Sequence, residues 1–273
     1  MSVERAIFIV GCPRSGTTLV QSVLSCAPQT ATFRESHLFD ACLSHVAGRT
    51  VPRRMPGPQI SRFWTENDLV GSVQGAGVLP NTIADACLAG LLKATAQRGA
   101  KVLIEKTPRH LHFIKEIAAA CKRANVEAHF VHVLRDGVAV AGSLVEASAG
   151  WRRQRTPLEA LERWHRDCAL SRAKLGQKGH VFTTYEILTR RPVAESLRVA
   201  DGLDLALDEG DLAGRSEQLS AVIRPDEIWK PTMAEITPSP RRHLDAETEV
   251  NLRAEICDTD YRAIADFAEG ACG

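Results

Sequence analysis

The sequence predicts an α/β fold, a single domain over residues 1–273 with a mostly parallel central sheet flanked by helices. Three observations lead there. Short, continuous apolar runs rich in β-branched residues recur along the chain, as expected of strands buried on both faces. Helical patterns alternate with those runs. A Gly-rich turn follows the first run and opens the first helix, so strand, loop and helix succeed one another directly. A length of 273 residues suits one large core, and 44% apolar with 25% charged residues is ordinary for a globular chain.

Taken in order, residues 6–10 (AIFIV) read as a buried strand that residues 11–16 break. Residues 17–25 follow a helical pattern with Leu19, Val23 and Leu24 on one side, stopped by Pro28. Residues 31–33 predict a short strand. Residues 48–80 hold Pro52, Pro56, Pro58 and Pro80 with several glycines and read as an irregular insertion, either a lid or acceptor-binding segment or a plain surface loop. Residues 81–97 are helical with Asn81 as an N-cap candidate. Residues 101–105 (KVLIE) read as a strand, 110–123 as an amphipathic helix, 129–134 (HFVHVL) as a buried strand and 137–147 as a helix. A longer helix over 157–175, a strand over 180–184, a helix opened by Pro192 and a helical tail over 245–267 complete the pattern. In such sheets ligands bind at the carboxyl ends of the strands. The polar clusters after Val10, Phe33, Glu105 and Leu134 all fall on that edge.

A formal net charge of +1 removes any bulk attraction to nucleic acid or an anionic membrane, so an anionic ligand needs a local cluster of donors. The first apolar run is short and leads into a turn rather than a cleavage site, and no window approaches a membrane span. The expectation is a cytoplasmic protein. Eight cysteines (Cys12, Cys26, Cys42, Cys87, Cys121, Cys168, Cys257 and Cys272) show neither CxxC pairs nor zinc-ligand spacing. They read as reduced core residues, and no metal-ligand cluster is legible.

The sharpest feature is Gly11-Cys12-Pro13-Arg14-Ser15-Gly16-Thr17-Thr18 between the first strand and the first helix. Such a loop aims backbone N–H groups at one point, and the helix dipole adds to them. Gly16 permits close approach of an anion, and Ser15, Thr17 and Thr18 add hydroxyls. The spacing is that of a nucleotide-binding P-loop, G-x-x-x-x-G-K-[ST], except that Thr17 stands where the lysine belongs and a cation appears earlier, at Arg14. Without that lysine an ATP-dependent phosphotransferase lacks its neutraliser of the β- and γ-phosphates. A second cluster is Arg135-Asp136-Gly137, with Ser143 about two helical turns on. There a strand ends in an arginine able to grip a phosphate, and Asp136 fits either an N-cap or a partner that orients Arg135. A purely structural Arg–Asp pair is the alternative.

Glu35, just after the second strand and near the anion site, is a candidate general base. The alternative is a carboxylate favoured by a helix start. His37 nearby is as readily structural. Lys106 ends a strand, where the alternative is a surface lysine before a Pro turn. Tyr185 follows the strand over 180–184 and reads equally well as a core tyrosine.

These motifs together resemble those of the PAPS-dependent sulfotransferases (PAPS is 3′-phosphoadenosine-5′-phosphosulfate), in particular the carbohydrate and tyrosylprotein enzymes. P-R-S-G-T-T-L resembles their 5′-phosphosulfate loop. Arg135 with a serine eight residues later resembles their 3′-phosphate segment. Arg34-Glu35-Ser36-His37-Leu38-Phe39-Asp40 resembles K-E-x-H-F-F-D, with Arg34 and Leu38 as departures. Glu105-Lys106-Thr107-Pro108 resembles E-K-T-P, and Tyr185-Glu186 resembles the start of Y-E-x-L. The resemblance implies a P-loop-type domain that uses PAPS and releases adenosine 3′,5′-bisphosphate. Arg14, Ser15, Gly16, Thr17, Thr18, Arg135, Ser143 and Tyr185 then contact the donor. It implies Glu35, Lys106, Arg14 and His37 as catalytic residues, with Arg14 and Lys106 at the bridging oxygen and no metal required. Arg109 and His110 are candidates to face the acceptor, which the sequence leaves open. Residues Trp229-Lys230-Pro231 and Arg241-Arg242, where no family motif matches, are candidates for a late loop closing over the donor. The acceptor implied is a small molecule, glycan or peptide. The other readings are the phosphotransferase and a non-catalytic nucleotide-binding protein, which needs neither Glu35 nor Lys106.

Overall fold

A computed structural model describes residues 2–46, 49–52, 59–67, 83–150, 153–223, 236–238 and 244–271. Five strands form one wholly parallel sheet: β1 (Arg5–Gly11), β2 (Thr30–Thr32), β5 (Val102–Lys106), β6 (Glu127–Leu134) and β7 (His180–Thr184), in the order β2-β5-β1-β6-β7. Between them run α1 (Thr17–Leu24), α4 (Ile83–Gln97), α5 (Ile114–Arg123), α6 (Gly137–Ala147) and α7 (Pro157–Arg172). After β7 come α8 (Tyr185–Arg190), α9 (Pro192–Asp201), a 3-10 turn (Asp211–Gly214), α10 (Arg215–Val222), α11 (Ala246–Glu255) and α12 (Thr259–Gly270). The α/β architecture is the one the sequence predicts.

Period-two alternation in β1 divides the core. Phe8 and Val10 face one layer with Leu103, Phe130, Leu91 and Ile117. Ile7 and Ile9 face the other, with Ile104, Val131, Val133 and Leu24. Every residue of β1 from Ala6 to Val10 is fully buried, which explains its unbroken apolar run. From β1 the chain leaves toward β2 on one side, and from β6 it leaves toward β7 on the other. The crevice between the carboxyl ends of β1 and β6 is therefore the topological switch point, where open α/β sheets bind ligands.

Several elements differ from expectation. Residues 48–80, expected to be irregular, contain β4 (Arg49–Pro52), which pairs antiparallel with β3 (Leu43–Val46), and α3 (Gln59–Glu66). Phe63 and Trp64 of α3 enter the main core, and that burial organises the segment. A short helix α2 (Leu38–Cys42) precedes β3. The helix expected over 110–123 begins as a 3-10 turn (Pro108–Phe113), because His110 turns inward and Pro108 opens the turn. The tail is two helices rather than one. Ile256 leaves helical geometry and packs against the α6–α7 core layer. Helix α8 was not expected; the Thr184 hydroxyl caps it by accepting from Ile187 N at 3.1 Å.

Cys12, Cys42, Cys121 and Cys168 are buried and free, as expected, but Cys257 is exposed. Asn81, Trp229-Lys230-Pro231, Arg241-Arg242 and Cys272 lie outside the described residues, as does the side chain of Cys87. Among the described residues no helix is long and apolar enough to cross a membrane.

A pair of histidines joins β6 to β7. His132 meets His180 Nδ1 through Nε2 at 2.9 Å and Ser171 Oγ through Nδ1 at 3.1 Å. The rings stack on Phe182 and Phe130. Burial, then the neighbouring His180 and Lys174, holds His132 well below the usual histidine range. Burial, then Lys174 and His129, brings His180 down to about 4. Both rings stay neutral in the folded chain while the unfolded chain protonates near the ordinary value of about 6.5. Folding stability is accordingly fully present above that value and falls as pH drops from about 6.5 toward 4. Urea midpoints across this window check it: the wild type loses stability, and His132→Phe flattens the slope. An unchanged slope in the variant contradicts the assignment.

Candidate active site

Gly11 ends β1 at φ 147°, opposite Val133 of β6, and a Cβ there would sit 2.2 Å from the Val133 carbonyl oxygen. Only glycine permits that approach, so the loop starts tight against β6. Arg14 and Gly16 then take positive φ of 78° and 93°. For Arg14 this costs of order 1 kcal/mol and bends the loop around its own centre. Helix α1 begins at Thr17 with no side-chain cap, so its first N–H groups face the loop, where the helix dipole favours an anion. Inside the loop Ser15 is fully buried, and among the described residues its Oγ has no hydrogen-bond partner. A buried hydroxyl without a partner costs about 1–3 kcal/mol unless a ligand satisfies it. This orphan donor beside an uncapped helix start fits a phosphate or sulfate group.

Arg135 and its neighbours stand on the other side of the crevice. Its Nη1 donates to the Arg14 carbonyl oxygen at 3.5 Å, and Arg14 Nε donates to Ser143 Oγ at 3.0 Å. The Arg135 guanidinium lies 4.2 Å from the Tyr185 ring centroid. That ring also covers Gly16, where a Cβ would sit 2.9 Å from Tyr185 Cδ2. Arg14, Gly16, Arg135, Ser143 and Tyr185 thus form one cluster. Arg14, expected at the transferred group, has its Nε on Ser143. Asp136 caps α6, accepting from Ala139 N at 2.9 Å, and pairs with Arg253. Beside Arg135 and Tyr185 opens a cleft of about 490 Å³, which Thr189 and Arg190 also line.

One strand over, Lys106 ends β5 in register with Ile9. Its side chain is 2% exposed and its Nζ lies 3.3 Å from Glu35 Oε2. Glu35 keeps 16% exposure, so one face remains open. His37 sits at φ 53° with Nδ1 3.4 Å from Asp40 Oδ2. Burial opposes its protonation, but Asp40 and then Glu35 outweigh it, and the His37 pKa is raised. Asp40 also lies 3.4 Å from Arg109 Nε. His110 is a candidate from sequence to face the acceptor. It is instead wholly buried, because its ring is needed underneath.

Glu105 is the residue that uses it. Its carboxylate, on a fully buried strand, accepts from Ser36 Oγ at 2.6 Å, Thr107 Oγ1 at 2.7 Å and His110 Nδ1 at 2.8 Å. Burial alone raises its pKa, but the His110 ring and then the two hydroxyls outweigh that and hold it low. The same groups reach onward: His37 N donates to Thr107 Oγ1, Leu38 N to Ser36 Oγ, and Phe39 N to His110 Nε2. Residues 36–39 therefore hang from β5, and Glu35 is carried to Lys106. Sequence reasoning quoted Glu105 but gave it no role. The available signal was a carboxylate in a buried strand, followed within five positions by a hydroxyl and an imidazole.

The model of the family described as "Sulfotransferase family" matches residues 6–209. A protein-tyrosine sulfotransferase A from Caenorhabditis elegans is 26% identical over 242 residues, covering 82% of this chain. The chain spans only 58% of that relative's length. Two solved structures share the fold. The sulfotransferase domain of the Synechococcus PCC 7002 olefin synthase is similar at TM-score 0.55 with 20% identity, covering 93% of this chain and 95% of that one. A sulfotransferase from Mycobacterium avium is similar at TM-score 0.51 with 17% identity, covering 95% and 77%.

Replacing Glu105 by leucine strands three donors in a dry site. Urea unfolding of Glu105→Leu is expected to show a loss of about 3 kcal/mol or more. A loss below about 1 kcal/mol contradicts the role given to this carboxylate.

Proposed function

We propose that this chain, which belongs to the sulfotransferase family, transfers a sulfuryl group from PAPS to a hydroxyl or amine acceptor, with Glu35 as the general base. The observation that carries the reading is the placement of two anion sites beside one ion pair. The uncapped start of α1 with its orphan Ser15 hydroxyl, and the Arg135–Ser143–Arg14 cluster, flank the switch point, and Glu35–Lys106 lies one strand away. Two anion sites, joined by the Arg14–Ser143 bond, suit a donor with phosphate groups at both ends of its ribose.

When bound, the donor supplies an activated sulfuryl group. The loop Pro13–Thr18 holds its phosphosulfate end through backbone N–H groups and the Ser15, Thr17 and Thr18 hydroxyls. Arg135 and Ser143 hold the 3′-phosphate, and Arg14, through its bond to Ser143, ties the two sites together. Glu35 accepts the acceptor's proton while the acceptor oxygen (or nitrogen) bonds to sulfur and the bond from sulfur to the leaving phosphate oxygen breaks. As Glu35 gains that proton it loses its charge, and Lys106 Nζ is released to face the charge left on the departing bisphosphate. His37 and Arg109, both near Asp40, contact the acceptor. Most of the rate then comes from positioning and fixed charge. Among acceptors, a phenolic hydroxyl has support from the relative, a protein-tyrosine sulfotransferase by name.

Two variants test the division of labour. Glu35→Gln abolishes sulfuryl transfer while leaving the affinity for adenosine 3′,5′-bisphosphate nearly unchanged in calorimetric titration; near-wild-type turnover removes Glu35 as the base. Arg135→Ala weakens bisphosphate binding by about 1.5–3 kcal/mol, the range for a hydrogen bond to a charged group. An unchanged affinity removes Arg135 from the 3′-phosphate site.

A further inference from the structure

Helices α11 and α12 lie beyond the residues that the family model matches, yet they reach back to the anion cluster. Arg253 of α11 grips Asp136 with two bonds, Nη1 to Oδ2 at 2.5 Å and Nη2 to Oδ1 at 3.0 Å. That hydrogen bond raises the Arg253 pKa above its ordinary value. The Asp136 N–H donates to Glu186 Oε1 at 3.0 Å, and Tyr261 of α12 donates from its hydroxyl to Glu186 Oε2 at 2.9 Å. Trp164 Nε1 donates to the Arg135 carbonyl oxygen at 2.9 Å. Ile256, between the two helices, packs over Gly137, where a Cβ would lie 2.7 Å from its Cδ1.

The pattern is specific. The two residues that meet face to ring, Arg135 and Tyr185, are each followed by the residue that the tail holds, Asp136 and Glu186. Glu186 has both oxygens engaged, one by the Arg135 loop and one by the tail. It therefore fixes the spacing between the start of α6 and the start of α8. Arg253 has a second consequence. A carboxylate next to a phosphate-binding arginine competes with the phosphate for it. With Arg253 holding both oxygens of Asp136, that competition is suppressed.

We propose that α11 and α12 brace the donor site, with Glu186, Tyr261 and Arg253 as positioning residues that set Arg135 and Tyr185 before the ligand arrives. The proposal rests on the reading that Arg135 holds the 3′-phosphate. Ordering these groups in advance removes a cost from binding. The tail then tunes donor affinity without touching the donor. Hydrogen bonding carries the effect at position 186, so a variant that keeps an acceptor for the Asp136 N–H there keeps most of the brace.

The test is calorimetric titration of the full chain with adenosine 3′,5′-bisphosphate, beside circular dichroism to confirm folding. Tyr261→Phe and Arg253→Met, both changes at the rim of the site, are expected to weaken binding about fivefold each, the scale of coupling between contacting residues. Glu186→Gln, whose amide oxygen still accepts from Asp136 N–H and whose NH2 can donate to the Tyr261 hydroxyl oxygen, retains most of the affinity, whereas Glu186→Ala loses about tenfold. In an Arg135→Ala background the Tyr261→Phe and Arg253→Met losses vanish, which loosening of the whole fold would not produce. Folded variants that bind as the wild type does, or losses that persist undiminished without Arg135, overturn the brace. A wild-type chain that does not bind the bisphosphate overturns the functional reading, and the brace as a donor-site device with it.

Discussion

A carboxylate inside a buried strand must be met by donors, or the strand cannot stay buried. Glu105 meets this demand by drawing in Ser36, Thr107 and His110. Each of these groups is then bonded to the backbone of residues 37–39. The need to satisfy one charge thus fixes a segment that has no sheet partner of its own. Glu35 precedes that segment and Lys106 follows Glu105, so the ion pair between them is set by the same bonds. A loop-borne carboxylate acquires the rigidity of a strand, as the proposed role of general base requires.

The sheet order supplies the second half of the arrangement. The chain departs β1 and β6 in opposite directions, which leaves an open crevice between their ends. Gly11 lets the loop after β1 press against β6, and this brings the Arg14 carbonyl within reach of Arg135. The anion cluster and the Glu35–Lys106 pair sit on one edge because β5, β1 and β6 are adjacent and parallel. Tyr185 closes the cluster from β7's end, lying against both Gly16 and Arg135. The carboxyl ends of all five strands therefore contribute, β5 through its last residue, Lys106, and the others through residues that follow the strand.

Much of this is legible in the sequence, and for definite reasons. Strands buried on both faces give unbroken apolar runs, so β1, β5, β6 and β7 are found within one or two residues. The Gly11–Thr18 loop and the Arg135–Ser143 spacing are local, and local motifs survive reading in one dimension. The parts that escape depend on contacts between distant segments. Residues 110–113 read as helix, but His110 turns inward to serve Glu105 and tightens the turn. The tail reads as one helix, but Ile256 finds a place over Gly137. Arg14 reads as a catalytic cation, and only the structure brings it to Ser143. Nothing in the sequence announces that Arg253 reaches Asp136 across 117 positions, or Tyr261 reaches Glu186 across 75; that link is purely tertiary.

The central claim is that the crevice takes a nucleotide carrying phosphates at both ends of its ribose, rather than a triphosphate. Calorimetric titration of the wild-type chain with adenosine 3′,5′-bisphosphate, beside ATP with magnesium, tests it most directly. The account predicts tight binding of the bisphosphate and little or none of ATP–magnesium. Preference for ATP–magnesium would contradict it and return the Gly11–Thr18 loop to a phosphotransferase reading.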